Sequence, residues 1–244
     1  MMEKLSAEEF DRNYKDVLDR LYAAAEKSGG SAEDITLLAA TKTVDADTVN
    51  YAIKKGITHI GENRVQELLS KYSLLNPAHS HFIGHLQTNK VKMIVPYVSM
   101  IESVDSEKLL KEIDRQAERV GRKIPVLIEI HVAAEETKSG FTPEECRDFI
   151  DSGRYEQYKN VIYSGLMCMA SHTDDEKRIH SDFRKVFNLY ESLKSEYFSN
   201  DNSFAYRSWG MSEDYKIAVQ EGSNIVRIGT RIFGDRDYTK SFTL

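Results

Sequence analysis

The stretch Leu37-Leu38-Ala39-Ala40-Thr41-Lys42-Thr43 decides how we interpret the rest of the chain. Its apolar residues indicate a buried strand, and Val44-Asp45-Ala46-Asp47 then marks the start of a helix. Lys42 therefore stands where the chain leaves the core, and an amine that loses water at such a place is easier to hold neutral and nucleophilic. Two interpretations stay open here: Lys42 forms a Schiff base with a carbonyl ligand, or its stem lies along the core and its ammonium group reaches water.

Composition describes an ordinary globular chain. It has 244 residues, of which 41% are apolar and 30% are charged, which is enough material for a substantial core. The 33 basic and 39 acidic residues give a net charge of −6, which argues against nucleic acid as the main partner. The N-terminus has no apolar signal core and no run approaches the roughly 18 apolar residues of a membrane span, so we predict a cytoplasmic protein. Cys146 and Cys168 lack C-x-x-C spacing, and we expect both to be reduced, buried thiols.

Helical and strand-like segments alternate along the whole chain. A capping box at Ser6 opens a long amphipathic helix that Gly29-Gly30 ends. Eight strand-like segments follow, with helical patterns between them: 35–41, 58–63, 81–85, 97–104, 125–132, 163–169, 204–209 and 225–228. With no G-x-G-x-x-G, this favours a single (β/α)8 TIM-like barrel over 1–244, with an additional N-terminal helix, rather than a doubly wound sheet. Ser212 is predicted to cap the helix after the seventh strand. Because little sequence follows the eighth strand, we expect the N-terminal helix to pack beside it.

Functional groups of such a barrel gather at the carboxyl ends of its strands. The predicted strand ends supply Lys42, Glu62, Asn63, His85, Ser208, Arg227, Gly229 and Thr230. Gly229 lets backbone amides approach an anion, while Thr230 and Ser208 add hydroxyl groups, so this region is a candidate phosphate site. The alternative is that Gly229 is only a turn residue.

A Schiff-base lysine opposite a phosphate site suggests pyridoxal phosphate or a phosphorylated carbonyl substrate. If Arg227 faces the pyridine nitrogen, its permanent charge disfavours a pyridinium and weakens the ring as an electron sink. The alternative is that Arg227 pairs with a carboxylate such as Glu62 or Glu129.

Other candidates are weaker. His79, His81 and His85 have no Cys or Asp to complete a ligand set, so no metal site is predicted. Lys138 is a second possible Schiff-base lysine, but it lies in a polar loop. Trp209 stacks on a flat ligand or packs in the core.

At these positions the sequence resembles the pyridoxal-phosphate homeostasis proteins, which look like the N-terminal barrel of alanine racemase (fold type III) standing alone. The matching stretches occur in the same order over nearly the whole chain: Ala40-Thr41-Lys42-Thr43, Ile60-Gly61-Glu62-Asn63-Arg64-Val65-Gln66-Glu67, His81-Phe82-Ile83-Gly84-His85-Leu86-Gln87-Thr88-Asn89-Lys90, Ser164-Gly165-Leu166-Met167, Ser208-Trp209-Gly210-Met211-Ser212 and Val226-Arg227-Ile228-Gly229-Thr230-Arg231-Ile232-Phe233-Gly234.

The resemblance implies a role for each matched site residue. Lys42 takes the position of the lysine that carries pyridoxal phosphate as a Schiff base, and Arg227 that of the arginine facing the pyridine nitrogen. Ser208, Gly229 and Thr230 take the positions of the phosphate-binding groups, and Asn63 lies near the cofactor. The sequence departs from the commoner pattern at Arg207 and Trp209, where the family usually has smaller or aliphatic residues.

The resemblance also implies what the protein does. The similar racemases use a tyrosine base from a second domain across a dimer, and this chain ends before such a domain begins, so we expect racemisation to be slow or absent. The hypothesis is a monomeric, cytoplasmic barrel without catalytic residues that holds pyridoxal phosphate and regulates its supply, with PLP-dependent apoenzymes as recipients. The alternatives are a PLP-dependent amino-acid racemase or related enzyme, and a Schiff-base aldolase.

Overall fold

Eight parallel strands close into one barrel in the computed structural model, which describes residues 5–133 and 139–235. Each strand pairs with its neighbour in the chain, and the eighth pairs with the first. The strands are β1 (Thr36–Ala40), β2 (His59–Glu62), β3 (His79–Phe82), β4 (Met100–Val104), β5 (Ile124–His131), β6 (Val161–Met169), β7 (Tyr206–Ser208) and β8 (Ile225–Ile228). The TIM-like barrel predicted from the alternating pattern is therefore confirmed. Lys138 lies outside the described residues.

Helices surround this barrel and close its outer core. They are α1 (Ala7–Lys27), α2 (Ala46–Lys54), α3 (Val65–Tyr72), α4 (Val91–Ile94), α5 (Glu107–Arg119), α6 (Pro143–Asp151), α7 (Glu176–Glu196), α8 (Tyr215–Gln220) and α9 (Thr230–Phe233), with 3-10 turns at Ala32–Asp34, Thr88–Lys90 and Arg154–Gln157. Within the two described ranges, no helix combines the length and the apolar content that a bilayer crossing requires. Cys146 on α6 and Cys168 on β6 are free and buried, as predicted, and burial raises the pKa of the Cys146 thiol to about 12.

The N-terminal helix packs beside the last strand, as expected. Its capping box at Ser6 is formed, because Glu9 N donates to Ser6 Oγ at 3.2 Å and Ser6 N donates to a Glu9 carboxylate oxygen at 3.0 Å. Phe10 is buried against Phe233 of α9, with ring centroids 5.8 Å apart. The amide of Asn13 donates to the carbonyl of Ile232 at 3.3 Å. Helix α1 therefore covers the side of the barrel where the chain leaves β8.

The prediction that Ser212 caps the following helix is wrong. The N-cap of α8 is Asp214, because residues 211–214 first form a turn in which Met211 N donates to Asp214 Oδ1 at 2.6 Å and Asp214 N donates to the Met211 carbonyl at 3.2 Å. Ser212 instead turns toward the end of β8, where its hydroxyl accepts a hydrogen bond from Gly229 N at 3.4 Å.

The third strand begins two residues earlier than predicted. It runs over His79–Phe82 because His79 pairs with His59 in parallel register. The first three residues of this strand are polar, and Ser80 and His81 are buried. The strand therefore lacks the apolar pattern by which a buried strand is recognised in a sequence.

Strand β7 fits only because glycine stands opposite it on β6. Gly165 has φ +143°, and a Cβ built on it would lie 1.8 Å from the carbonyl oxygen of Tyr206. The close approach of the two backbones sets the position of Ser208, two residues further along β7.

Candidate functional site

Lys42 lies in a tight turn directly after β1. The Val44 N–H donates to the carbonyl of Thr41 at 3.0 Å, which places Lys42 and Thr43 at the centre of the turn. Lys42 is half-buried and lines a cavity of about 760 Å³ at the carboxyl end of the barrel. The cavity wall near it includes Ala40 and Met169. The lysine predicted from the end of the first strand is therefore in a cleft.

Potential anion-binding groups line the same cavity. Gly229 and Thr230 follow β8, and Ser212 comes from the loop after β7. Thr230 and Arg231 begin the short helix α9, where the first N–H groups have no acceptor within the helix. The hydroxyl groups of Ser212 and Thr230 beside the start of a helix are a combination that suits a phosphate group.

Ser208 does not lie in this cavity, although the sequence predicted it as the phosphate-binding hydroxyl. Its side chain is fully buried below, at 0% exposure, and donates to Glu102 Oε2 at 2.6 Å. The same hydroxyl accepts from Arg227 Nη1 at 2.8 Å. Both partners come from inside the barrel, so Ser212 is the serine of this segment that reaches the cavity.

Arg227 also lines the cavity, and its guanidinium is held from beneath. Nη1 donates to the carbonyl of Ser208 at 2.7 Å and Nη2 to the carbonyl of Cys168 at 3.0 Å. It hydrogen-bonds to these groups rather than to Glu62 or Glu129, so the alternative of a direct pair with either of these two carboxylates is wrong. The orientation of the guanidinium is fixed by the backbones of β6 and β7.

A hydrogen-bonded chain continues from Arg227 across the barrel interior. Ser208 links it to Glu102, whose other oxygen lies 2.6 Å from His81 Nδ1. Burial alone would raise the pKa of Glu102, but the hydrogen bond with His81 and the electrostatic influence of His81 and Arg227 hold that pKa below its ordinary value. A charged Glu102 therefore balances the arginine below the cavity.

Glu129, another buried carboxylate of the interior, behaves differently. Burial raises its pKa to about 7, the negative charge of Asp105 adds to this effect, and the charge of Arg227 opposes it. Its side chain accepts a hydrogen bond from Ser139 Oγ at 3.3 Å. Glu129 is thus a buried carboxyl group whose pKa is raised towards neutral pH.

Asn63 follows β2 and is half-buried at the same end of the barrel, outside the lining of the Lys42 cavity. Its Oδ1 atom is buried and has no hydrogen-bond partner within residues 5–133 and 139–235. The backbone of Gly84 packs against it so closely that a Cβ there would lie 2.3 Å from the Asn63 carbonyl oxygen. Asn63 Oδ1 is thus a buried hydrogen-bond acceptor beside the cavity that has no donor among the described residues.

Arg207 and Trp209, the two residues that depart from the family pattern, do not line the cavity. Trp209 is fully buried in the outer hydrophobic core, so it packs there rather than stacking on a ligand. Arg207 donates through Nε to the carbonyl of Gly222 at 2.6 Å, and its guanidinium lies 5.1 Å from the ring centre of Tyr190. Neither side chain narrows the cavity.

The predicted histidines do not meet at one place. His79 and His81 lie near His59, with ring centroids 4.6 Å and 5.3 Å from it. His85 is exposed near Asp105, with 3.0 Å between Nδ1 and Oδ2.

One feature of the site was missed from the sequence. Glu62, Glu67 and Lys71 form a buried cluster next to the turn that carries Lys42. The available signal was that Glu67 and Lys71 stand one helical turn apart, within a helix whose apolar residues face the barrel.

A parallel barrel that gathers a lysine, a fixed guanidinium, hydroxyl groups and the start of a helix around one cavity is the arrangement expected of a protein that binds a small anionic ligand with a carbonyl group.

Comparison with known proteins gives the family. A family model described as "Alanine racemase, N-terminal domain" matches residues 18–237. A protein of *Aquifex aeolicus* named Pyridoxal phosphate homeostasis protein is 38% identical over 224 residues, which are 91% of this chain and 96% of that protein. The chain belongs to the pyridoxal phosphate homeostasis protein family, whose barrel is that of the alanine racemase N-terminal domain. The resemblance stated from the motifs is thereby confirmed.

Solved structures agree with this placement. The structure of PipY from *Synechococcus elongatus*, described as having PLP bound, is 28% identical, covers 89% of this chain and 100% of its own, and superposes with a TM-score of 0.75. An alanine racemase of *Clostridium difficile* is 15% identical and covers 93% of this chain but 57% of its own, with a TM-score of 0.66. The racemase shares the barrel fold.

Proposed function

We propose that this protein binds pyridoxal phosphate as a Schiff base on Lys42 and holds it for the cellular supply, without catalytic turnover. The observation that carries the proposal is the shared cavity of Lys42, Arg227 and the Ser212, Gly229 and Thr230 group. The names of the relatives and the ligand of PipY support the same cofactor.

The residues of the cavity fit each part of this cofactor. Bound pyridoxal phosphate would supply a carbonyl carbon for attack by an amine. Lys42 provides that amine, and Ser212, Gly229 and Thr230 provide donors for the phosphate. Arg227 provides a fixed positive charge for the ring nitrogen, and the partnerless Oδ1 of Asn63 provides a further polar contact at this end of the barrel.

Two features of the site favour holding over turnover. Arg227 is held by two backbone carbonyls, and a guanidinium facing the ring nitrogen of bound pyridoxal phosphate would disfavour protonation of that nitrogen and weaken the ring as an electron sink. In the described part of the chain, no tyrosine lines the cavity to act as the base that racemisation needs. We therefore propose that Lys42 retains the cofactor and does not process an amino acid.

We further propose that the protein acts as a cytoplasmic monomer and that PLP-dependent apoenzymes receive the cofactor. The support is that one chain supplies the lysine, the guanidinium and the phosphate donors. Sedimentation of the protein loaded with pyridoxal phosphate measures its oligomeric state, which we expect to be monomeric. Activation of an added PLP-dependent apoenzyme by the loaded protein measures transfer of the cofactor.

Covalent trapping tests the central proposal. The protein is mixed with pyridoxal phosphate, reduced with borohydride and digested, and the modified lysine is mapped by mass spectrometry. We expect one modified site, at Lys42, and a visible absorption band that Lys42→Ala abolishes. Lys216→Ala, which removes an exposed lysine on α8, is the matched control.

Two results would argue against the proposal. Equal labelling of many surface lysines, unchanged in Lys42→Ala, would mean that the cavity does not select the ligand. Exchange of the α-hydrogen of alanine in deuterated water, at a rate that depends on Lys42, would favour the racemase alternative instead.

A further inference from the structure

A buried ionic cluster lies on the outer side of the barrel, directly behind the turn that holds Lys42. It consists of Glu62 at the end of β2 and Glu67 and Lys71 on α3, with residue exposures of 1%, 0% and 3%. Lys71 Nζ lies 2.9 Å from Glu62 Oε1 and 2.6 Å from Glu67 Oε1. The ammonium group of Lys71 thus forms ion pairs with two buried carboxylates.

Every member of this cluster contacts the turn. Thr41 Oγ1 donates to Glu62 Oε1 at 2.6 Å, and Lys71 Nζ donates to the carbonyl of Thr41 at 2.9 Å. On the other side of Lys42, the backbone N–H of Thr43 donates to Glu67 Oε1. Glu62 and Lys71 therefore fix Thr41, and Glu67 fixes Thr43, so the cluster holds both residues that flank Lys42.

The turn itself has a backbone conformation that needs such support. Thr43 has φ +63°, and within the described ranges it is the one residue other than glycine with a positive φ. A β-branched residue rarely adopts this left-handed conformation, which glycine adopts without a steric penalty. The Glu67 contact holds the Thr43 N–H in it.

Stability alone does not explain why these three side chains are ionic. Removing charges from water is expensive, and well-packed apolar residues often serve a buried site equally well. Burial raises the pKa of Glu62, with Lys71 opposing and Glu67 adding to this shift, so the cluster is costly for its own members. Its directional hydrogen bonds, unlike apolar contacts, specify the path of one short turn.

We propose that Glu62, Glu67 and Lys71 are positioning residues for Lys42: they hold its turn so that the lysine side chain stays in the cavity and reacts with a carbonyl ligand. This inference rests on the proposed function and adds residues that do not themselves touch the ligand.

The variants Thr43→Gly and Glu67→Gln distinguish an effect on the position of Lys42 from an effect on the stability of the fold. Glycine accepts the same φ without a Cβ, so Thr43→Gly is expected to unfold at the wild-type temperature or above while its turn becomes freer. Glu67→Gln keeps the shape of the side chain and removes its charge. We expect both variants to form the borohydride-reducible bond with pyridoxal phosphate about 10- to 100-fold more slowly than wild type.

The matched control is Glu221→Gln, which removes a buried carboxylate at the opposite end of the barrel, where Glu221 Oε1 lies 2.8 Å from His180 Nδ1. This control is expected to lose stability and to keep the wild-type rate of bond formation. A second measurement uses the ligand-free protein: the rate of Lys42 acylation by acetic anhydride, mapped by mass spectrometry, should change in Thr43→Gly and Glu67→Gln but not in Glu221→Gln.

Wild-type rates of bond formation and acylation in both Thr43→Gly and Glu67→Gln would overturn the inference, whatever their unfolding temperatures. That result would leave the proposed function intact, because wild-type protein would still be labelled at Lys42. Failure of wild-type labelling at Lys42 would instead remove the proposed function.

Discussion

Ser208 at the end of β7 and Ser212 in the loop after it provide the sharpest test of the site, because the structure gives them different roles. Ser212 lines the cavity, and its hydroxyl accepts a long hydrogen bond of 3.4 Å from Gly229 N. Loss of a hydrogen bond to a charged group costs about 1.5–3 kcal/mol, so Ser212→Ala should weaken pyridoxal phosphate binding roughly 10- to 100-fold. Its free energy of unfolding should fall by less than about 1 kcal/mol.

Ser208→Ala should have the opposite profile. Its hydroxyl joins Glu102 and Arg227 at 0% exposure, so the substitution leaves a buried carboxylate oxygen without its donor. We expect the free energy of unfolding to fall by about 1–3 kcal/mol. The loss of affinity should be smaller than in Ser212→Ala, because Arg227 keeps its two backbone acceptors.

The assay pairs an absorbance titration of each variant with urea unfolding of the ligand-free protein. Pyridoxal, which lacks the phosphate, serves as the control ligand, and Ser212→Ala should change its affinity little. The reasoning is refuted if Ser208→Ala weakens pyridoxal phosphate binding more than Ser212→Ala and leaves the unfolding free energy at the wild-type value.

The fold was predictable because the pattern of apolar strands and amphipathic helices repeats along the chain. Local errors arose where the barrel interior is polar. The strand at His79–Phe82 was placed two residues too late, since its first residues, His79 and Ser80, are polar and give no apolar run. Strand β7 was predicted too long, because its three residues are determined by the close backbone approach at Gly165, a tertiary constraint.

The positions of Lys42, Arg227, Gly229 and Thr230 followed from one topological rule, that strand ends of a barrel meet. The choice between Ser208 and Ser212 could not follow from it. That choice depends on the direction of a turn, and the turn is set by the contact between Met211 N and Asp214 Oδ1.

The buried cluster escaped the sequence analysis for a different reason. Glu67 and Lys71 stand at i and i+4 on α3, a spacing typical of exposed ion pairs. Only the three-dimensional position of Glu62 and of the Lys42 turn reveals that this pair is inside the protein.

Three further predictions concern stability. Gly165→Ala should lower the unfolding free energy by about 3 kcal/mol or more, since its Cβ would meet the Tyr206 carbonyl oxygen at 1.8 Å; urea unfolding measures this, and a wild-type midpoint would contradict it. Phe10→Ala should cost about 3–5 kcal/mol by the same assay, because the ring is buried between α1 and α9, and a loss below about 1 kcal/mol would mean that α1 does not stabilise the barrel. The last prediction concerns Glu129, whose pKa is raised to about 7 from an ordinary 4.5. Between these two pH values the folded state binds more protons than the unfolded state, so this group's contribution to stability is present below pH 4.5 and is lost as the pH rises through 7. At 1.36 kcal/mol per pH unit the loss is about 3 kcal/mol, and Glu129→Gln should remove it. Unfolding of both proteins from pH 4.5 to 8 measures the difference, which should grow in favour of Glu129→Gln as the pH rises; a difference that is constant with pH would show that Glu129 is charged throughout.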